Sequence, residues 1–498
     1  MHRSFWVESS PEPGYPPLAG DISVDVAVLG GGITGITAAF LLKEAGLTVA
    51  LVEMKQLVHG VTGYTTAKLT SGHGLIYEKL RSSFGPETAR VYAESNEAAL
   101  AWVAETVESR GIDCDFERRA NYIYSEDAAD VESLRAEAKA AQEAGLPASF
   151  VDETPLSYPV AGAVRLENQA QFHPRKYLLP LAAAIDGDGS HVFERTRALD
   201  VRDGDPCVVE TTRGEIRARH VVVATHLPFL DRGLFFAKAH PLMSYALAAP
   251  IDAGAAPDGM FISVSQPTRS IRTAPDGDGL LLILGGEGHK PGADADTRKR
   301  YAALEGTLSE RFGLTDVRHR WSTHDYVPVD DLPYIGPLHR GTDHIHVATG
   351  YAKWGLTKGT LAAMILRDTI LGKPNAWAET YGAKRIDARH STAAFVKENA
   401  AVGAHFVGDR LTPGQGDADA LAPGEGAVVR AGRRKLAVYR DDAGALHVRS
   451  ARCTHLGCLV RWNTAETTWD CPCHGSRFAP NGTVLEGPAV RDLPEAKL

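Results

Sequence analysis

The chain contains no apolar run approaching the roughly 18 residues that a membrane-spanning helix needs, so no membrane partner is expected. It has no basic excess either. Lys and Arg number 53 against 62 Asp and Glu, for a formal net charge of −9. No contiguous basic stretch offers a footprint for nucleic acid. The amino-terminal residues lack the apolar core of a signal peptide, and the first apolar run, Val24 to Leu29, reads as a strand. A cytoplasmic protein is therefore expected. Cysteine is scarce, six in 498 residues, which excludes a disulfide-framework protein. Cys114 and Cys207 stand alone and are expected to be buried, inert thiols. The other four crowd into residues 453–473. The length predicts about three domains.

Those four cysteines fall into two boxes, Cys453-x-His455-x-x-Cys458 and Cys471-x-Cys473-His474, each followed or interrupted by glycine. Two thiolates and two imidazoles at such spacing can hold a binuclear iron–sulfur centre, cysteines on one iron and histidines on the other. Zinc is the competing metal for a mixed Cys/His set. The paired boxes resemble the Rieske [2Fe–2S] signature in its disulfide-bearing branch. The resemblance implies Cys453, His455, Cys471 and His474 as ligands and a disulfide between Cys458 and Cys473. A cytoplasmic disulfide is unusual, and burial beside the cluster would protect it. Gly475 and Ser476 are placed to give donors to the cluster sulfurs. High-potential relatives carry Tyr where this chain has Phe478, and the missing hydroxyl predicts a lower potential.

Near the other end, the β-branched run Asp25–Leu29 enters Gly30-Gly31-Gly32-Ile33-Thr34-Gly35, a helical stretch to Ala45 and a second strand ending in Glu53. This is the strand–GxGxxG–helix–strand–acid order of a dinucleotide site. Gly30 allows the tight turn, Gly32 lets backbone approach a pyrophosphate, and Gly35 lets the helix pack on the strand. The helix start, Ile33 and Thr34, offers free N–H groups to phosphate, and Glu53 can accept from ribose hydroxyls. The small, polar loop from Gly60 to Lys68 resembles the flavin-wrapping loop of the glycine oxidase and D-amino-acid oxidase superfamily. That resemblance implies FAD, with Thr65 and Thr66 as phosphate or ribitol contacts. It further implies Ala198 at the adenine edge and Ala224 and Thr225 on the strand from His220 to His226. His226 stands where relatives have Gly, which predicts an altered backbone approach. The stretch His344–Gly355 and the following helix are similar to the superfamily's last motif. They imply Gly350, Gly355, Leu356 and Thr357 at the flavin, with Lys353 and Trp354 nearby. His59 and His73 are candidates for covalent attachment, but an unattached flavin is expected.

The middle of the chain reads as helices over 86–110 and 130–144 with solvated charged faces, then mainly strands over 240–325. An antiparallel sheet there is expected to roof the flavin, with Tyr245, His324 and Tyr326 nearest it. His173 reads as structural. The stretch Trp321–Pro328, just before the flavin-closing segment, holds no Arg after Arg320, which weakens an α-amino-acid substrate, because relatives clamp its carboxylate with Arg there.

The expected architecture is an α/β Rossmann-like FAD-binding domain with an inserted α+β substrate domain, plus a small all-β Rieske domain. FAD-binding pieces are placed at about 24–80, 165–235 and 325–385, within an oxidoreductase region 1–385. The substrate subdomain is placed at 81–164 and 236–324, a linker helix at 386–410, and the Rieske domain at 411–498. Residues 1–22 are expected to form an irregular arm. The combination resembles bacterial Rieske-fused FAD-dependent oxidoreductases. The expected chemistry is oxidation of an amine-like small molecule by hydride transfer to FAD. Electrons would leave singly through the cluster to an external acceptor, making the protein a dehydrogenase rather than an oxidase. The alternatives are reversed flow from an external one-electron donor protein, and a non-catalytic electron-transfer adaptor.

Overall fold

The run Val26–Leu29 is fully buried, as a strand covered on both faces requires. In the computed structural model, which describes residues 2–294, 296–385, 396, 399–400, 403 and 417–498, it is central to the first sheet. Among the described residues that sheet has eight strands. Ile22–Leu29 lies between Glu215–Val223 and Val49–Val52, all parallel, and Ile345–Thr349 and His191–Phe193 extend the parallel set on either side. The helices Ile33–Glu44 and Gly355–Ile370 pack together on it. This is the Rossmann-like α/β domain expected. The parallel strands bring both helix amino termini to one end of the sheet, where open α/β folds place their ligands.

A second, nine-stranded sheet forms the inserted domain. Its long antiparallel strands Ala239–Pro250, Gly279–His289 and His319–Pro328 make the roof. The last of these runs past the expected boundary at 324. Two of its helices are Pro86–Arg110 and Val131–Glu143, close to expectation. Their charged faces are not all solvated. Glu137 is fully buried, and its carboxylate accepts from the Tyr77 and Glu78 N–H groups at 2.9 Å each, capping the helix Ile76–Phe84. Burial pushes its pKa up to about 7 against the backbone donors.

The amino-terminal arm is not irregular throughout. Phe5–Glu8 is one helical turn capped by Ser4, with Phe5, Trp6 and Val7 buried. Trp6 Nε1 donates to Thr65 O at 2.7 Å, and Ser4 Oγ donates to Gly63 O. The arm therefore straps the loop expected to wrap the flavin. Burying one such indole is worth roughly 2–3 kcal/mol.

The carboxyl-terminal domain is all-β, with a three-stranded and a four-stranded antiparallel sheet among the described residues. The helical pattern read over 386–410, and the start of the segment from 411, lie outside the described residues apart from the few positions given above. Cys114 and Cys207 are buried, as expected, and burial pushes the Cys114 thiol up to about 12. His173 caps the helix Pro174–Ile185, its Nδ1 accepting from Lys176 N–H at 3.2 Å.

Candidate cofactor cavity and cluster site

The glycine turn is built by close contact. A Cβ on Gly35 would stand 1.8 Å from Gly30 O, so the helix seats directly on the turn, and Gly30 itself has φ 110°. The helix is capped by Gly32, which offers no side chain, leaving its first N–H groups to other partners. Glu53 accepts from Gly31 N–H at 2.8 Å and Lys55 N–H at 2.9 Å. Burial raises the Glu53 pKa, against those two donors.

Beside this turn opens a cavity of about 740 Å³. Gly30, Gly32, Ile33, Thr34 and Glu53 line one end, with Ala198, Ala224 and Thr225 beside them. Thr65, Thr66, Gly355 and Leu356 line it further along. The helix Gly355–Ile370 also begins without a cap from its own N-terminal side chain, and in the first helix Ile33 N–H donates to Thr62 Oγ1 at 3.1 Å, so two helix amino termini meet one cavity. A glycine turn, a carboxylate and two such termini suit a ligand carrying a pyrophosphate and ribose hydroxyls. Three expected residues lie behind the wall. Gly35 packs on Gly30, Gly350 packs on Pro328, and Thr357 Oγ1 donates to Thr70 O at 2.8 Å.

The roof closes the other end. Thr323, Asp325 and Val327 line the cavity, whereas His324 and Tyr326 do not. Successive residues of a strand point to opposite faces, so two of the three residues expected nearest the flavin turn away from it together. Tyr245 lines the cavity, but its hydroxyl is engaged by His289 Nε2 at 3.1 Å. Lys353 and Trp354 line the cavity at the turn before the last helix. Ala352 and Lys353 both hold left-handed φ, 50° and 73°, and Lys353 N–H donates to Asp325. Burial lowers the Lys353 pKa to about 8, with the Asp325 carboxylate opposing. Trp354 packs on His73, ring centroids 4.7 Å apart. Both His73 nitrogens are engaged, by Tyr92 OH and Thr70 O at 2.6 Å each, and His59 Nε2 lies 2.8 Å from Glu12.

The cluster boxes fold as one turn used twice. Cys453 N–H donates to Cys458 O at 2.8 Å and Gly457 N–H to Cys453 O at 3.0 Å; Cys471 N–H donates to Ser476 O and Gly475 N–H to Cys471 O at the same distances. A Cys458–Cys473 disulfide joins the two loops. Cys453 and Cys471 are buried and free. The Cys471 thiol donates to the Cys453 sulfur, which holds Cys453 below its ordinary pKa and pushes Cys471 above its own. Backbone N–H groups of His455 and Leu456 and the Ser476 hydroxyl also reach Cys453, and those of His474 and Cys473 reach Cys471.

The His455 and His474 rings stand 5.0 Å apart. His455 Nε2 is 2.8 Å from Asp231 Oδ1, while its buried Nδ1 has no partner. Burial lowers the His474 pKa to about 3, leaving a neutral imidazole. Two thiols ringed by N–H donors and an orphaned ring nitrogen fit a cluster with thiolates on one iron and imidazoles on the other. Phe478 is buried in the strand beneath.

Sequence reasoning missed the junction between the two sites. Residues 485–490 of the carboxyl-terminal domain form part of the cavity wall. Tyr326 OH donates to His474 O at 2.7 Å, and His324 Nδ1 meets Glu486 Oε2 at 2.8 Å. Thr297 Oγ1 donates to Asn463 Oδ1, and Tyr301 OH to Glu466 Oε1, at 2.6 Å each. Phe236 packs on both cluster histidines. No local pattern announces contacts between residues more than a hundred positions apart.

A dinucleotide-type cavity roofed by an antiparallel sheet, joined to a disulfide-clasped Cys/His loop pair, defines a flavin-dependent oxidoreductase carrying a Rieske module. The family model for FAD dependent oxidoreductases, DAO, matches residues 25–369, and the Rieske [2Fe-2S] domain model matches 415–497. The chain belongs to the DAO family of FAD-dependent oxidoreductases, with a carboxyl-terminal Rieske domain; its cofactors are FAD and a [2Fe–2S] cluster. It is 36% identical, over its whole length and 98% of the relative, to YhfW of Bacillus subtilis (strain 168), described as a Rieske 2Fe-2S iron-sulfur protein. It is 26% identical, over 74% of this chain and 89% of the relative, to gamma-glutamylputrescine oxidoreductase of Escherichia coli (strain K12). Glycine oxidase from Geobacillus kaustophilus shares the fold, with a TM-score of 0.61 at 20% identity over 73% of this chain and 99% of that one.

Proposed function

We propose that the protein is a dehydrogenase that oxidises an amine-like small molecule and passes the electrons singly through the cluster to an external one-electron acceptor protein. FAD supplies the two-electron hydride acceptor and the cluster supplies one-electron transfer. The observation that carries this reading is the shared wall: residues 485–490, next to the cluster loops, line the cofactor cavity itself. The resemblance to gamma-glutamylputrescine oxidoreductase supports an amine-like substrate.

The chain's residues take these roles. Gly30, Gly32, Ile33 and Thr34 receive the pyrophosphate, with Gly35 allowing the turn. Glu53 accepts from the ribose. Thr65 and Thr66, Ala198, Ala224 and Thr225 hold the remaining length. Gly355 and Leu356 present the second helix terminus, with Gly350 and Thr357 fixing it from behind. Lys353 and Trp354 border the substrate end, and the roof excludes water there. Cys453, His455, Cys471 and His474 hold the cluster. The FAD-binding pieces 24–80, 165–235 and 325–385, the substrate pieces 81–164 and 236–324, and the Rieske domain 411–498 are the proposed units. No described helix is long and apolar enough to cross a membrane, and a cytoplasmic location accords with that.

The test is an anaerobic titration of the holoprotein with a panel of amines and amino acids. The expected result is bleaching of the flavin followed by the electron paramagnetic resonance signal of a reduced cluster. Bleaching only by a reduced ferredoxin-type donor would reverse the flow. Turnover in air with one peroxide formed per substrate would make the protein an oxidase.

A further inference from the structure

His226 lines the cofactor cavity at the end of the strand Glu215–Val223, with left-handed φ of 67°. Its Nε2 lies 2.8 Å from Asp325 Oδ1. Asp325 also accepts from Tyr326 N–H at 2.7 Å and from Lys353 N–H, so three groups converge on one carboxylate. The His226 ring stands edge-on to the Tyr326 ring, centroids 4.5 Å apart. Tyr326 is wholly buried, and its hydroxyl donates to the backbone carbonyl of His474 at 2.7 Å. From the cavity to the cluster loop there is thus one unbroken line of contacts: His226, the Tyr326 ring, its hydroxyl, His474. Gly475 keeps the line short, because a Cβ there would stand 2.9 Å from Tyr326 OH, His324 Nε2 and Pro241.

We propose that His226 and Tyr326 form the bridge across which single electrons pass between the cofactor cavity and the iron held by His455 and His474. The line ends on the favourable iron. Imidazole rather than thiolate ligands would leave that iron less negative than the one bound by two thiolates, so it would be the one to take up an added electron. Each crossing takes one electron from one cofactor and gives it to the other. Two crossings balance the two-electron oxidation of one substrate molecule, a one-electron carrier protein takes each electron in turn, and the protons the substrate gives up pass to solvent. Neither ring is itself oxidised, and no proton leaves either. A second line exists on the cysteine side, where Ala489 N–H in the cavity wall donates to Ser476 Oγ at 3.0 Å and that hydroxyl reaches Cys453. It ends on the thiolate-bound iron.

The inference rests on the proposed function only in needing both cofactors resident, not on the substrate or the direction of flow. Photoreduction of the flavin with light and EDTA in the anaerobic holoprotein tests it without any substrate. Cluster reduction is then followed by absorbance and by electron paramagnetic resonance. Tyr326→Phe keeps the ring but loses the donor to His474; it should slow the crossing severalfold and shift the cluster g-values. His226→Gln should slow the crossing while leaving the g-values unchanged, because it does not touch the cluster loop. Wild-type crossing rates in both variants, with intact cofactor spectra, would overturn the bridge even if amines bleach the flavin. Slowing by Ser476→Ala alone would also overturn it, in favour of the cysteine-side line.

Discussion

Glu486 and His324 meet at 2.8 Å across the junction, one on the short Rieske strand Val484–Glu486 and the other on the roof strand His319–Pro328. Arg477, itself wholly buried, stands 3.4 Å from the other Glu486 oxygen. Burial alone would raise the Glu486 pKa, but the charges of Arg477 and His324 hold it well below the usual carboxylate range. A depressed carboxylate contributes stability above its ordinary pKa near 4.5 and loses it as pH falls. Glu486→Gln should therefore lower the melting temperature at pH 7, at a cost of about 2 kcal/mol, because Arg477 keeps its Asp470 partner at 3.2 Å, and should be less sensitive to acid than wild type. Because residues 485–490 follow directly into the cavity wall, the variant should also release flavin more readily, read as free-flavin fluorescence. Unchanged flavin retention would separate the ion pair from the wall.

Gly35→Ala should yield a protein without the flavin's yellow colour that keeps the colour of its cluster. The added methyl would stand 1.8 Å from Gly30 O, so the helix must lift off the turn. Overpacking of this kind costs about 1–3 kcal/mol and removes the helix terminus from the cavity. Absorbance near the flavin bands of purified protein, compared with cluster absorbance, provides the measurement.

The cluster cysteines should divide into two behaviours. Cys471→Ser removes a proposed ligand, and the cluster signal should vanish while the flavin spectrum stays. Cys458→Ser removes only the clasp between loops 15 residues apart in sequence. It should keep a cluster that bleaches faster on standing, with a stability loss of about 3 kcal/mol from the opened loop. Loss of flavin in Cys471→Ser would show that the two sites do not fold separately.

Glu137 should set a pH dependence of its own. Its pKa is raised from 4.5 to about 7, so its contribution is complete below 4.5 and declines as pH climbs through 7. Wild type should lose up to ~3 kcal/mol over that range relative to Glu137→Gln, at 1.36 kcal/mol per unit. Parallel denaturant midpoints at pH 5 and pH 8 would reveal it, and equal differences at both would exclude it.

Much of this was legible in the sequence, for a physical reason. The Gly30–Gly35 turn with Glu53, and the two Cys/His boxes, are sites whose chemistry demands particular residues at fixed short spacing. Their folding leaves no freedom to hide them. The class of fold followed from the buried parallel strand feeding the first of them. What sequence missed depends on partners remote in the chain. Glu137 looks like part of a solvated helix face because its partners, Tyr77 and Glu78, are some 60 positions away. His324 and Tyr326 are polar residues on a strand beside the cavity, and only the register decides that Asp325, between them, faces inward. The Phe5–Val7 turn is too short for periodicity to register, and only its burial against the 63–65 loop gives it a shape.

The shared cavity wall has a consequence for how the molecule is made. Residues 485–490 are made after Gly30, Glu53 and the last helix from Gly355, which are then already available to fold. Until that segment arrives, the cavity has one side missing. A ligand as long as a dinucleotide is therefore enclosed by a part of the chain made after the rest of its site.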